Sequence, residues 1–333
     1  MQNKVLVIST TPFYGGGESF IVNTLDKVSK SNVYFVNNQP LYNKLNKRCA
    51  IMFKSRNILS QIIEVRTFLR LHNDINNVIF NGGNTIFFIP FIYAGNKIFY
   101  RHTTNKCIEN KYRRLLYIIL WNLCYLFADK IVHVSNYSLH EQKLACSKAL
   151  CIHHGIDVSI PYIERDSVKK ILFVGRLDKA KGIDIIIDAF LNLPKDQFCL
   201  DIVGSGELET YVKEKECSNI KYWGFQNDVS SFYQKADIFI TLPTNEAFGL
   251  TIIEAMRFSL PIISCKTGGI NEIVKDHVNG FLVPRNSNSI IEAIMEMKNN
   301  ITLYKSMSAK SYLMVNCEFS RTNTITNIRK ILK

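Results

Sequence analysis

No two of the nine cysteines are spaced as Cys-x-x-Cys, and their odd number and scatter argue for reduced thiols rather than a zinc site or a disulfide framework. Long apolar runs are also missing. The longest, Leu115 to Ala128, is interrupted by Asn122 and falls short of the ~20 residues that a bilayer requires, so no segment is expected to span a membrane. Near the N-terminus, Val5-Leu-Val-Ile8 is too short for the core of a signal peptide and reads as a buried first strand. Internal repeats, low-complexity tracts and long charged tails are absent. So are helix-turn-helix spacing, an RNP-like aromatic strand and a zinc-finger pattern, and no nucleic-acid partner is expected.

What is present is an ordinary globular composition with an excess of cations. With 333 residues, 47% of them apolar, the chain is long enough for two domains with their own cores. Lys and Arg total 41 against 28 acids, a formal charge of +13, which calls for an anionic partner. In the first half the cations form two clusters: Lys44, Lys47, Arg48, Lys54, Arg56, Arg66 and Arg70, then Lys97, Arg101, Lys106, Lys111, Arg113 and Arg114. Apolar residues interleave with both, among them Ile51, Phe53, Leu59, Tyr112, Leu115 and Leu116. Solvated helix faces would have this pattern, as would a surface that meets an anionic membrane.

Short β-branched runs alternate with helical patterns twice along the chain. The runs are Val5–Ile8, Val33–Val36, Asn77–Phe80, Lys97–Tyr100 and Ile131–Val134, then Lys170–Val174, Cys199–Val203, Ile220–Trp223, Asp237–Thr241 and Pro261–Cys265. Such alternation predicts α/β architecture, with two doubly wound parallel-sheet domains joined by the polar segment Asp157–Ser167. Open parallel sheets bind ligands beyond the carboxyl ends of their strands, so the expected site is a cleft between the domains, lined by the loops that follow the strands.

Several of those loops carry candidate chemistry. Gly15, Gly16 and Gly17 precede a helix expected near Glu18, where backbone can approach an anion closely, although a plain flexible turn would look the same. His102 follows the strand Lys97–Tyr100. Arg176 and Lys181 flank a turn between Gly175 and Gly182, where a planar fork and a point charge suit a diphosphate. In Asn245-Glu-Ala-Phe-Gly-Leu-Thr-Ile-Ile-Glu-Ala255, Glu246 lies in the loop before a helix starting near Gly249. Glu254 lies within that helix, on the face of Thr251. Gly268 and Gly269 precede one further helix start.

Taken together, GGGE at 15–18, His102, HGID at 154–157, GRLDKAKG at 175–182, VGSGE at 203–207, the two acids of NEAFGLTIIEA and TGGINEIVKDHVNGFLV at 267–283 resemble the retaining, nucleotide-sugar-dependent glycosyltransferases of family 4, with the GT-B fold. The resemblance implies an N-terminal Rossmann-like acceptor-binding domain over 1–160 and a C-terminal Rossmann-like nucleotide-sugar-binding domain over 168–315. A C-terminal helix within 316–333 would return to the first domain. It implies that Arg176 and Lys181 hold the donor diphosphate with the amides of Gly249, Leu250 and Thr251, and that Gly16 and Gly17 approach the phosphates. Glu254 would bind the ribose, and Glu246 and His102 would be the catalytic residues facing the sugar. The sequence has no Asp-x-Asp, the metal-holding pattern of the other main glycosyltransferase fold. Neither a metal nor a cofactor is therefore expected, and the donor is a UDP-sugar in preference to a GDP-sugar.

The expected acceptor is a lipid-linked oligosaccharide of bacterial surface polysaccharide assembly, reached from the cytoplasm at the inner face of the membrane, with the basic segments 44–70 and 97–117 against the anionic lipid. Two other readings stay open: a nucleotide-sugar 2-epimerase of the same fold, and a non-enzymatic, basic, membrane-associated nucleotide-binding protein.

Overall fold

The computed structural model describes residues 4–12, 15–29, 31–45, 49–93, 95–104, 111–142 and 146–333. Lys47, Arg48 and Lys106 of the basic clusters lie outside the described residues, as does the side chain of Arg113. Two compact units divide the chain: residues 1–155 with 321–333, and residues 156–320.

The first unit is built on β1 (Lys4–Ser9), β2 (Asn32–Val36), β3 (Ala50–Met52), β4 (Ile75–Asn81), β5 (Asn96–Arg101), β6 (Lys130–His133) and β7 (Ala149–Cys151). They pair in the order β3-β2-β1-β4-β5-β6-β7, every pairing parallel. Val5, Leu6, Val7 and Ile8 of β1 are all buried, because a central parallel strand is covered on both faces. One core layer gathers Val5, Val7, Phe20, Ile79 and Tyr100, and the opposite layer gathers Leu6, Ile8, Phe80, Phe88 and Phe99.

The second unit has β8 (Lys170–Val174), β9 (Cys199–Val203), β10 (Ile220–Tyr222), β11 (Ile238–Ile240), β12 (Ile262–Ser264) and β13 (Gly280–Leu282), paired in parallel in the order β10-β9-β8-β11-β12-β13. The helix Ile183–Asn192 turns Ile183, Ile186, Ile187 and Phe190 inward, as their helical spacing predicts. Three strands lie outside the runs read from the sequence: β3, β7 and β13. Each is three residues long and forms a sheet edge, and β7 is only half-buried throughout, so none stands out as a buried run of strand length.

The segment read as a linker is pinned to the second unit. Arg165 is 8% exposed and donates to the carbonyls of Phe258 at 3.0 Å, Gln234 at 3.2 Å and Tyr233 at 3.3 Å, while the Ile163 amide donates to Ser259 Oγ at 3.0 Å. At the other end the helix Ile301–Glu318 runs past 315, and Phe319 is buried against Phe248 with ring centroids 5.7 Å apart. The chain therefore rejoins the first unit at Arg321, five residues later than the sequence boundary of 316. There Ile328 and Leu332 enter the first unit's core, and Thr324 Oγ1 donates to the His153 carbonyl at 3.0 Å.

Candidate functional site

Each sheet has one point where the strand order reverses. In the second unit β8 sits between β9 and β11, so successive connections leave it in opposite directions and open a crevice beyond its carboxyl end. The loops after β8 and β11 flank that crevice and are tied together: the Leu242 amide donates to the Lys181 carbonyl at 3.2 Å, and the Thr244 amide to the Ala180 carbonyl at 2.7 Å.

This brings the charged candidates into one place. Lys181 Nζ stands 2.5 Å from Glu246 Oε2, with both side chains about a quarter exposed. Arg176 Nε pairs with Asp178 Oδ2, yet the arginine side chain is 68% exposed and keeps most of its fork open to solvent. Asp178 also accepts from the Lys181 amide at 2.8 Å, which closes the short turn Lys179–Lys181. The backbone under Glu246 is fixed by Gly268, which has φ +51°. A β-carbon there would lie 1.9 Å from the Glu246 carbonyl oxygen, so no other residue fits without moving the loop.

The helix Leu250–Arg257 starts at Gly249, whose φ of +114° also demands glycine, and no side chain caps it. The amides of Leu250 and Thr251 therefore have no intrahelical acceptor and point along the helix axis, an arrangement suited to an anion. One turn later Glu254 accepts from the Tyr233 hydroxyl at 3.2 Å, and that hydroxyl also lies 3.4 Å from the Thr251 carbonyl. Burial pushes the Glu254 carboxyl up to about 7, against the Tyr233 hydrogen bond and the Arg257 charge, both of which pull it down. Beyond the ends of β8 and β9 a cavity of about 200 Å³ is lined by Val174, Gly175, Arg176, Gly204, Phe225 and Val229.

In the first unit the reversal falls at β1, between β2 and β4. Gly16 opens the helix Gly16–Asn23. Buried Glu18 on that helix accepts from Ser9 Oγ and from the Gly15 amide, both at 3.1 Å, so this acid shapes the glycine loop. The Gly17 carbonyl accepts from Asn81 Nδ2 at 3.3 Å. His102 is half-buried there, with Nε2 2.9 Å from Asn81 Oδ1 and Nδ1 3.1 Å from His154 Nε2. Burial pushes His102 down to about 4 and His154 well below its ordinary value.

The structure thus gathers Arg176, Lys181, Glu246, Gly249, Leu250, Thr251 and Glu254 at one switch point, and Gly16, Gly17 and His102 at the other. It adds residues that the sequence analysis passed over: Asp178, Tyr233, Asn81 and the ring of His154. Asn81 had a readable signal, as a polar residue at a strand end followed by Gly82 and Gly83. Tyr233 had none, because a tyrosine inside a helical pattern reads as core.

The family of glycosyl transferases group 1 matches residues 161–314. That range is nearly the whole second unit. A glycosyltransferase of Methanocaldococcus jannaschii, itself uncharacterized, is 32% identical over 212 residues, or 61% of this chain and 59% of that protein. The O-antigen chain mannosyltransferase C of Escherichia coli is 35% identical over 139 residues, 39% of this chain and 37% of that one. The chain thus spans less than two thirds of either relative. Anabaena HepE, solved in complex with UDP and glucose, superimposes with a TM-score of 0.85 over 99% of both chains at 18% identity. The fold is GT-B. The matched domain and the named relatives support a glycosyltransferase.

Proposed function

We propose that this protein is a retaining glycosyltransferase of family 4, which moves a hexosyl group from a UDP-sugar to a lipid-linked oligosaccharide in bacterial surface polysaccharide assembly. The observation that carries the reading is the second unit's switch point, where two cations, uncapped helix amides and two separately placed acids converge. Arg176, Lys181 and the amides of Leu250 and Thr251 would hold the diphosphate, the Phe225-lined cavity the base, and Glu254 the ribose. Toward the same donor, the resemblance assigns Gly16 and Gly17 to the phosphates and His102 to the sugar.

Departure of the diphosphate builds negative charge on phosphate oxygen and positive charge on the sugar ring. Fixed cations belong at the first and a carboxylate near the second. The ion pair Lys181–Glu246 holds both partners ready: as the donor enters, the ammonium moves to phosphate and the carboxylate is released toward the sugar. We assign no enzyme nucleophile and no metal, since Arg176 and Lys181 supply the positive charge that a bound cation would otherwise bring.

The acceptor side rests on the helix Lys111–Tyr125. Tyr112, Leu115, Leu116, Ile119 and Leu123 recur at helical spacing on its outward face, and Tyr112 is 85% exposed. An apolar stripe next to Lys111 and Arg114 suits the surface of an anionic bilayer at the inner face of the cytoplasmic membrane. Among the described residues no helix is long and apolar enough to cross a membrane.

A panel of nucleoside diphosphates, followed by thermal shift in the presence of a metal chelator, tests the donor reading. A nucleotide present at 100 times its Kd should stabilise the protein by ~2.7 kcal/mol, with UDP ahead of GDP. If stabilisation appears only after Mg²⁺ or Mn²⁺ is restored, the role given to the two cations is wrong.

A further inference from the structure

Around a neutral His102 the hydrogen bonds form a chain with one consistent assignment of protons. The Gly17 carbonyl can only accept, so the Asn81 group 3.3 Å from it is the amide NH₂, which fixes the orientation of that side chain. Asn81 Oδ1, 2.9 Å from His102 Nε2, can then only accept, and Nε2 must carry the proton. In a neutral imidazole this leaves Nδ1 as an acceptor, and its partner at 3.1 Å, His154 Nε2, must be the donor.

The setting favours the uncharged ring. The His154 ring stacks on Phe20 with centroids 4.3 Å apart, Tyr100 stacks on His102 with centroids 6.0 Å apart, and Phe20 and His102 meet edge-on with centroids 5.6 Å apart. Among the described residues, the ionisable groups on the surrounding elements direct their charge elsewhere than to His102. Glu18 turns its carboxylate to Ser9 and Gly15, Arg101 directs Nε to the Thr103 carbonyl and pairs with Glu141 at 3.7 Å, and the His153 charge acts against protonation of His154. Tyr100, fully buried, is held far above its ordinary value by desolvation and brings no charge.

We propose that Asn81 and His154 are positioning residues that hold His102, the residue that the resemblance assigns to the donor sugar, as the neutral Nε2–H tautomer. The purpose rests on the transferase reading: positive charge builds on the sugar ring as the diphosphate departs, and an imidazolium beside it would oppose that step. An asparagine at 81, in place of the aspartate that often orients a histidine, follows from the same need, because a carboxylate against Nε2–H would favour the charged ring.

The tautomer is read directly from wild-type protein with ¹⁵N-labelled histidine, His102 being assigned by the signal lost in His102→Gln. The expected result is a protonated Nε2 and an unprotonated Nδ1, unchanged from pH 7.5 to 5. An Nδ1–H tautomer, or protonation with a midpoint near 6 or above, would overturn the proposal. Asn81→Asp should raise the midpoint from about 4 by roughly three units, and single-turnover transfer should then fall roughly tenfold between pH 8 and 6, while the wild type changes by less than about twofold. His154→Gln, which keeps an N–H donor for Nδ1, should hold transfer within about fivefold of wild type, whereas His154→Leu should lose about 10–100-fold. An Asn81→Asp profile identical to wild type would overturn the proposal. The expected tautomer in a protein that transfers no sugar from any donor would uphold the arrangement of Asn81 and His154 and count against the transferase reading itself.

Discussion

At the scale of single residues, the two acids of the second unit are separated by their surroundings. Glu246 is held by an ammonium in a partly exposed loop, and half-buried Glu254 accepts from a phenol while desolvation raises its carboxyl to about 7. Removing each should therefore have different consequences. Glu254→Gln should weaken nucleoside and nucleoside diphosphate alike by roughly 10–100-fold, the scale of a lost charge-assisted hydrogen bond. Because a ribose prefers the ionised acceptor, wild-type affinity for free uridine should rise with pH through 7, and the variant should lose that dependence. Glu246→Gln should slow transfer by ~10–1000-fold while leaving nucleoside diphosphate binding intact or up to about fivefold tighter, since Lys181 no longer has to leave a carboxylate. Calorimetry beside single-turnover rates separates the two, and equal loss of nucleotide binding in both variants would show the pair to be wrongly assigned.

At the scale of elements, the helix Lys111–Tyr125 makes the sharpest claim about the acceptor side. Replacing Leu116, Ile119 and Leu123 by serine removes exposed apolar surface from the stripe and should cut sedimentation with anionic vesicles at least about tenfold without lowering thermal stability. Unchanged vesicle binding would make the stripe a surface without a lipid partner. Central strands and their loops were legible in the sequence because burial on both faces writes a continuous apolar run, as in Val5–Ile8 and Lys170–Val174. Three of the four edge strands were not, since three-residue segments such as Ala149–Cys151 are too short to stand out; the fourth, Ile220–Tyr222, was read. The polar segment around Arg165 was misread for a related reason: a buried arginine that donates to three backbone carbonyls leaves the same letters as a solvated one. The His102 network was equally hidden, because it joins residues 21 and 52 positions apart that only the β4–β5–β6–β7 pairing brings together.

At the scale of the whole molecule, the depressed histidines set a direction for stability against pH. His102 and His133 are pushed down to about 4 by burial, and His154 lies well below its ordinary value. His133 is locked between Ser138 Oγ at 2.9 Å and Gln142 Oε1 at 2.8 Å. Between about 6.5 and 4 the unfolded chain binds protons that the folded chain refuses, so each of these groups makes stability fall as pH drops through that window. Glu254 acts in the opposite sense, since its raised carboxyl binds a proton in the folded state between its ordinary value and about 7. Three against one gives a net loss, on the order of 2 kcal/mol at pH 5 for each strongly shifted histidine. The melting temperature at constant ionic strength should therefore fall from pH 7 to 5, and a flat or rising profile would contradict the buried, neutral state of these rings.

The central claim is that the second unit's switch point grips a nucleoside diphosphate with Arg176 and Lys181. Calorimetric titration of UDP and of uridine into wild type, Arg176→Ala and Lys181→Ala tests it most directly. The account predicts that each variant weakens UDP by about tenfold or more and leaves uridine within about twofold, because only UDP carries the phosphates that the cations hold. Equal losses for both ligands, or unchanged UDP affinity in both variants, would contradict it.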